Sequence, residues 1–254
     1  MSDYIKAFSA EVSTRLAELT EWAEAGGIDE AAQALADTLD AGGVIQTFGT
    51  GHSEAFAMEI SGRAGGLIPT SKIALRDLVL HGSRDAESLN SINGSILERE
   101  TGIAEELFDL SPVDPRDIFI IASNSGVNGS IVGLALVAKE RGHKVIAVTS
   151  LAHTNAVETK HPSGVRLSEI ADIVIDNKAP YGDTTLEVSG GGGVGAVSSI
   201  TAAFIAQLLT IETVRRLVDA GKKPPIYVSA NVPGGDEHNT ALVDLYEGRL
   251  RRDA

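Results

Sequence analysis

The chain has 254 residues, a formal net charge of −14, 43% hydrophobic and 4% aromatic residues, and no cysteine. That length and apolar content suit a globular chain that buries its own core. The lack of cysteine excludes disulfides, thiolate metal sites and a cysteine nucleophile, and the acidic balance disfavours nucleic acid as a partner.

No run of about 18 apolar residues is present, so no membrane span is expected. The opening MSDYIKAFSAEVSTRL carries acids and no apolar core, so it does not read as a signal peptide, and a cytoplasmic location is expected. Residues 3–40 are helical by pattern. Ile5, Phe8, Val12, Leu16, Leu19 and Ala23 form one stripe, broken at Gly26-Gly27. Asp29 reads as the N-cap of a second helix that ends at Gly42-Gly43. Packing or a dimer seam is the expected role of this preamble, residues 1–42.

Residues 44–48 predict a buried strand, broken by Gly49-Thr50-Gly51-His52-Ser53. A helix follows from Glu54, with Phe56, Ile60 and Ala64 at spacings of four. A strand that ends in glycines and opens a helix is a ready anion site. A short strand is expected near Leu67-Ile68. Residues 69–97 are weakly patterned and include Arg76, Asp77, His81, Arg84 and Asp85. Such a stretch is often a binding loop. Thr101–Leu107 predicts a short helix.

Ile118–Ala122 is a continuous apolar strand ending in Ser123-Asn124-Ser125-Gly126-Val127-Asn128-Gly129-Ser130. A helix over 131–141, a strand over 145–148 ending in Thr149-Ser150, and a strand over 173–175 follow. Strands and helices alternating at this spacing predict βαβ units, hence a mostly parallel sheet covered on both faces. Ligands of such sheets sit beyond the carboxyl ends of the strands. Three strand ends here carry glycines and small hydroxyl residues. Gly190–Gly193 and Gly195 read as a mobile loop, Ser198–Leu217 as a long buried helix, and 221–254 as a strand, a turn and a last helix.

These turns resemble those of the sugar isomerase (SIS) family of phosphosugar-binding domains. That family grips one phosphate with a GxGxS turn and an SxSG turn. Here they read Gly49-Thr50-Gly51-His52-Ser53 and Ser123-Asn124-Ser125-Gly126. The resemblance covers roughly residues 30–220. It narrows to a bacterial SIS subfamily through Gly51-His52-Ser53, Glu59, Arg63–Gly66, Ser123–Asn128, His161-Pro162-Ser163-Gly164 and Ser229–Asn239. Sedoheptulose 7-phosphate isomerases show a partial likeness at Met58–Arg63. Their acid/base glutamate corresponds to Glu59, one helical turn nearer the loop here. Their acid/base histidine has no counterpart in 198–217, where Gln207 and Glu212 stand.

The resemblance implies an α/β fold: a three-layer αβα sandwich around a five-stranded, mostly parallel sheet. The expected organisation is one SIS domain over 1–254, with a core at 43–220. The expected ligand is a phosphorylated monosaccharide or amino sugar. Gly51, Ser53, Ser123, Asn124, Ser125, Gly126, Asn128 and Ser150 would bind it. Glu59 is the candidate base beside the sugar carbonyl, with His52 or His81 as a relay. Each has a plainer alternative: serine, asparagine and glycine fill turns, and Glu59 and Arg63 are spaced for a helical ion pair. The expected function is aldose–ketose isomerisation of a sugar phosphate, in a homodimer or homotetramer without cofactor or metal. A non-catalytic phosphosugar sensor and an amino-sugar-phosphate lyase or etherase are the alternatives.

Overall fold

The computed structural model describes residues 4–89 and 96–251. In chain order the elements are α1 (Tyr4–Glu24), α2 (Asp29–Asp40), β1 (Ile45–Gly49), α3 (Glu54–Ile60), β2 (Thr70–Ile73), α4 (Asp77–Leu80), α5 (Ile96–Arg99) and α6 (Ala104–Leu110). Then come β3 (Ile118–Ala122), α7 (Gly129–Glu140), β4 (Val145–Thr149), α8 (Leu151–Thr154), α9 (Leu167–Ile170), β5 (Ile173–Asp176), β6 (Thr184–Glu187), β7 (Gly193–Ala196), α10 (Ser198–Asp219) and α11 (Gly235–Val243).

Five strands form one sheet in the order β2-β1-β3-β4-β5, and every pairing is parallel. Alternate side chains enter opposite cores, as the strand period of two requires. Ile118, Ile120 and Ala122 join Ile146 and Val148 in one cluster with residues of α1, α2, α3 and α10. Phe119 and Ile121 join Val145 and Ala147 in the other, with residues of α4, α5, α6, α7 and α9. The result is the expected three-layer αβα sandwich. Every residue of β1, β3 and β4 is buried, which is why these strands read as unbroken apolar runs rather than alternating ones.

Five local expectations change. Asp29 is the first residue of α2, and Ile28 holds the N-cap position without a side-chain hydrogen bond. Helix α3 stops at Ile60, because Ser61 is extended and Gly62 has φ +78°; Ala64 lies outside it. The strand expected at Leu67-Ile68 lies instead at β2. Residues 65–68 pair antiparallel with 225–227, through Ile68 N–H to Pro225 O (2.8 Å) and Tyr227 N–H to Gly66 O (2.9 Å). The glycine-rich stretch folds into the β6–β7 hairpin. Helix α10 is buried on one face only, with Ile211 58% exposed. Residues 69–97 hold β2 and α4 and part of α5; positions 90–95 of that stretch lie outside the described residues. Among the described residues, no helix is long and apolar enough to cross a membrane.

Two devices tie down the sheet. The Asp117 side chain is fully buried just before β3 and accepts from Val44 N–H (2.8 Å), Gln46 Nε2 (2.9 Å) and Asp114 N–H (3.0 Å). Arg249 of the C-terminal segment pairs with it. The edge of β2 is covered by that same segment, through Lys72 N–H to Arg251 O (3.1 Å) and Arg251 N–H to Ser71 Oγ (3.0 Å). Asp117→Ala leaves Arg249 and two backbone donors without this acceptor. The substitution is expected to lower the unfolding free energy by about 3 kcal/mol, read as a reduced urea midpoint by circular dichroism.

Candidate functional site

Strand order reverses between β1 and β3, both of which leave the sheet at the same level: Gly49 is paired with Ala122. A crevice opens beyond the carboxyl ends of the strands where the order reverses. The β1 turn is tight. A Cβ on Gly49 would lie 2.3 Å from Ser53 O, so only glycine fits. Gly51 has φ +56°, and Gly51–Ser53 form one short turn leading into α3. The β3 turn is fixed by Gly126, with φ +64°. Its N–H donates to Ser123 Oγ (3.1 Å), and its carbonyl accepts from Leu167 N–H (2.9 Å). Accepting that bond leaves the Ser123 hydroxyl its proton to donate.

A narrow cleft of about 10 Å³, room for roughly one water molecule and open to solvent, lies between these turns. It is lined by His52, Ser53 and Phe56 from the β1 side, and by Ala122, Ser123, Asn124 and Val148 from β3 and β4. Asn177, Ser198, Ser199 and Ala202 complete it. No lysine or arginine is among these lining residues, and His52 is the titratable one. Hydroxyls and side-chain amides of this kind suit an oxyanion or a polyol.

The expected residues divide by position. His52, Ser53, Ser123 and Asn124 line the cleft. Asn128 is the N-cap residue of α7, and its side chain donates to Glu98. Ser125 is half-buried in the same turn. Ser150 is fully buried and faces inward. Its hydroxyl donates to Ala179 O (2.6 Å) and accepts from His153 N–H (3.0 Å), capping α8. Glu59 is half-buried on α3. Its Oε1 accepts from Gln207 Nε2 of α10 (2.6 Å) and pairs with Arg63. His81 is an exposed residue at the end of α4. The structure therefore does not bring Glu59, His52 and His81 together in the cleft lining.

Three contributors went unread in the sequence. Asn177 follows β5, and its Nδ2 donates to Asn124 Oδ1 (3.1 Å), which orients that amide. Ser198 and Ser199 open α10. Asp183, in a left-handed conformation (φ +67°) that Asp tolerates, caps this helix. Its carboxylate accepts from Val197 N–H (3.2 Å), Ser198 N–H (2.8 Å) and Ser198 Oγ (2.7 Å). The sequence signal was a serine pair at a helix start, with its capping acid 15 residues upstream.

An open parallel α/β sheet with a polar cleft at its switch point defines a doubly wound ligand-binding fold. The SIS-domain family matches residues 7–150. A UPF0309 protein of Listeria monocytogenes is 37% identical over 236 residues, covering 92% of this chain and 94% of that protein. A UPF0309 protein of Halalkalibacterium halodurans is 37% identical over 246 residues, covering 96% and 97%. A phosphoheptose isomerase from Francisella tularensis shares the fold, with a TM-score of 0.54 and 18% identity over 85% of this chain and 100% of that one. The chain belongs to the SIS-domain family, alongside the UPF0309 proteins.

Asp183→Ala removes the acceptor for three donors at the start of α10 and is expected to cost about 1–2 kcal/mol of stability. Asp183→Asn keeps an acceptor oxygen and the tolerance for positive φ, so it is expected to lose less. Thermal unfolding of the two variants checks the order.

Proposed function

We propose that the cleft binds a phosphorylated monosaccharide or amino sugar, and that the chain catalyses aldose–ketose isomerisation of that ligand. The observation that carries the reading is the level pairing of Gly49 with Ala122. It sets the Gly51–Ser53 turn and the Ser123–Asn128 turn side by side, with Ser53 and Ser123 on one cleft. Backbone amides and hydroxyls of such turns hold phosphate without net positive charge. Membership of the SIS family supports this ligand class.

Isomerisation moves a proton between the two carbons that exchange the carbonyl. It needs a carboxylate within reach of the sugar carbon and a group that serves the oxygens. The sequence puts Glu59 forward as the base, and His52 lines the cleft as the candidate relay. The reading includes self-association, supported by exposed Met58 on α3 and exposed Ile200, Ile211 and Val218 on α10.

A second reading, phosphosugar sensing without turnover, is favoured by one observation. Glu59 is held by Arg63 and Gln207 beside α10, away from the lining of the cleft. Incubation with a panel of aldose and ketose phosphates in D2O separates the two. Exchange at C1 or C2 supports the isomerase; binding without exchange for every tight ligand supports the sensor. Ser123→Ala and Ser125→Ala are each expected to weaken sugar-phosphate binding by about tenfold or more, the loss of one hydrogen bond to a charged group. Isothermal titration checks this; unchanged affinity in both variants would sink the phosphate assignment.

A further inference from the structure

We infer that Glu98, which stands beside the two turns and outside the residues that line the cleft, is the carboxylate that takes the carbon-bound proton, an assignment that rests on the isomerase reading above. Glu98 lies on α5, a short helix whose position is fixed against the β3 turn. Ser130 Oγ donates to the Glu98 carbonyl (2.9 Å). The next carbonyl, that of Arg99, passes so close to Gly129 that a Cβ there would lie 2.4 Å from it. Glycine at 129 is thus what lets α5 approach.

The side chain reaches both turns. Its Oε1 accepts from Asn128 Nδ2, at the β3 turn. Its Oε2 stands 3.7 Å from where a Cβ on Gly51 would be, at the β1 turn. The residue is half-buried. A carboxylate in this place is held by one of the expected ligand-binding residues and faces the other turn.

The two glutamates of α3 are engaged elsewhere. Glu54 Oε1 accepts from Arg76 Nη1 (2.7 Å) and lies 3.8 Å from Lys72 Nζ, toward β2. Glu59 Oε1 accepts from Gln207 and pairs with Arg63, toward α10. The carboxylate of Glu98 is instead hydrogen-bonded to a side chain of the β3 turn, that of Asn128.

The step balances without a co-reactant. The Glu98 carboxylate takes the hydrogen on the carbon next to the carbonyl. The C–H electron pair becomes the carbon–carbon double bond of an enediol, and the carbonyl oxygen gains a proton from solvent. Protonated Glu98 then returns its proton to the former carbonyl carbon. The neighbouring hydroxyl gives its proton to solvent as it becomes the new carbonyl.

The test uses wild type, Glu98→Gln and Glu59→Gln in D2O with a panel of pentose, hexose and heptulose phosphates. Inorganic phosphate serves as the binding probe. Glutamine keeps an acceptor for Asn128 and removes the base. Glu98→Gln is expected to slow carbon–hydrogen exchange about 10²–10⁴-fold, the usual weight of a general base. It is expected to bind inorganic phosphate at least as tightly as wild type, because a negative charge beside both turns has gone. Wild-type exchange in Glu98→Gln would overturn the assignment, as would exchange lost only in Glu59→Gln. A loss of exchange matched by an equal loss of phosphate binding would also overturn it, by making Glu98 a support for Asn128. Wild type that binds phosphate but exchanges nothing in the panel would sink the isomerase reading itself, a result distinct from failure of the variant alone.

Discussion

The pairing of β1 with β3 is the contact on which the site depends. Its register runs from Ile45 beside Ile118 to Gly49 beside Ala122, with no offset at the end. Two strands that finish level must release their chains at one height. Four of the polar lining residues follow from that: the β1 turn carries His52 and Ser53, and the β3 turn carries Ser123 and Asn124. A slip of one residue would turn each strand's side chains to the opposite core. The two hydrophobic clusters, which share the residues of β3 alternately, therefore hold the register and with it the site.

The cores also explain why the site sits on otherwise ordinary turns. Parallel strands leave the whole chain between them to helices, so each turn runs directly from a strand end to a helix start. Gly49 and Gly126 serve that geometry in different ways. The first is required by close approach to Ser53 O, the second by positive φ together with the nearby hydroxyls of Thr149 and Thr154. Neither needs a ligand to explain it. The ligand reading comes instead from what the turns carry.

Much of this was readable from the chain. Residues 118–122 and 145–148 are apolar and β-branched because their strands are covered on both faces, and the turns after them announce themselves with glycine, serine and asparagine. Strand β2 was not readable. Thr70, Ser71 and Lys72 are polar, yet each is buried; Thr70 Oγ1 donates to Leu67 O (3.0 Å) and Ser71 Oγ accepts from Arg251 N–H. Pattern alone cannot see that such polar side chains find partners, least of all one 180 residues along the chain, as for Ser71. The same limit hid Asn177, Ser198 and Glu98, which arrive at the turns by topology. Ser150 differs in the opposite sense: it has the expected residue type at a strand end, and its hydroxyl closes a helix cap.

The C-terminal segment that lies along β2 has an effect beyond holding Arg249 against Asp117. A strand at the border of a sheet offers a row of unsatisfied amides to any passing extended chain. With Lys72 N–H committed to Arg251 O and Ser71 Oγ to Arg251 N–H, that border is occupied from within. On this side the sheet is closed to lengthening by a strand from a neighbouring molecule at the positions of Ser71 and Lys72.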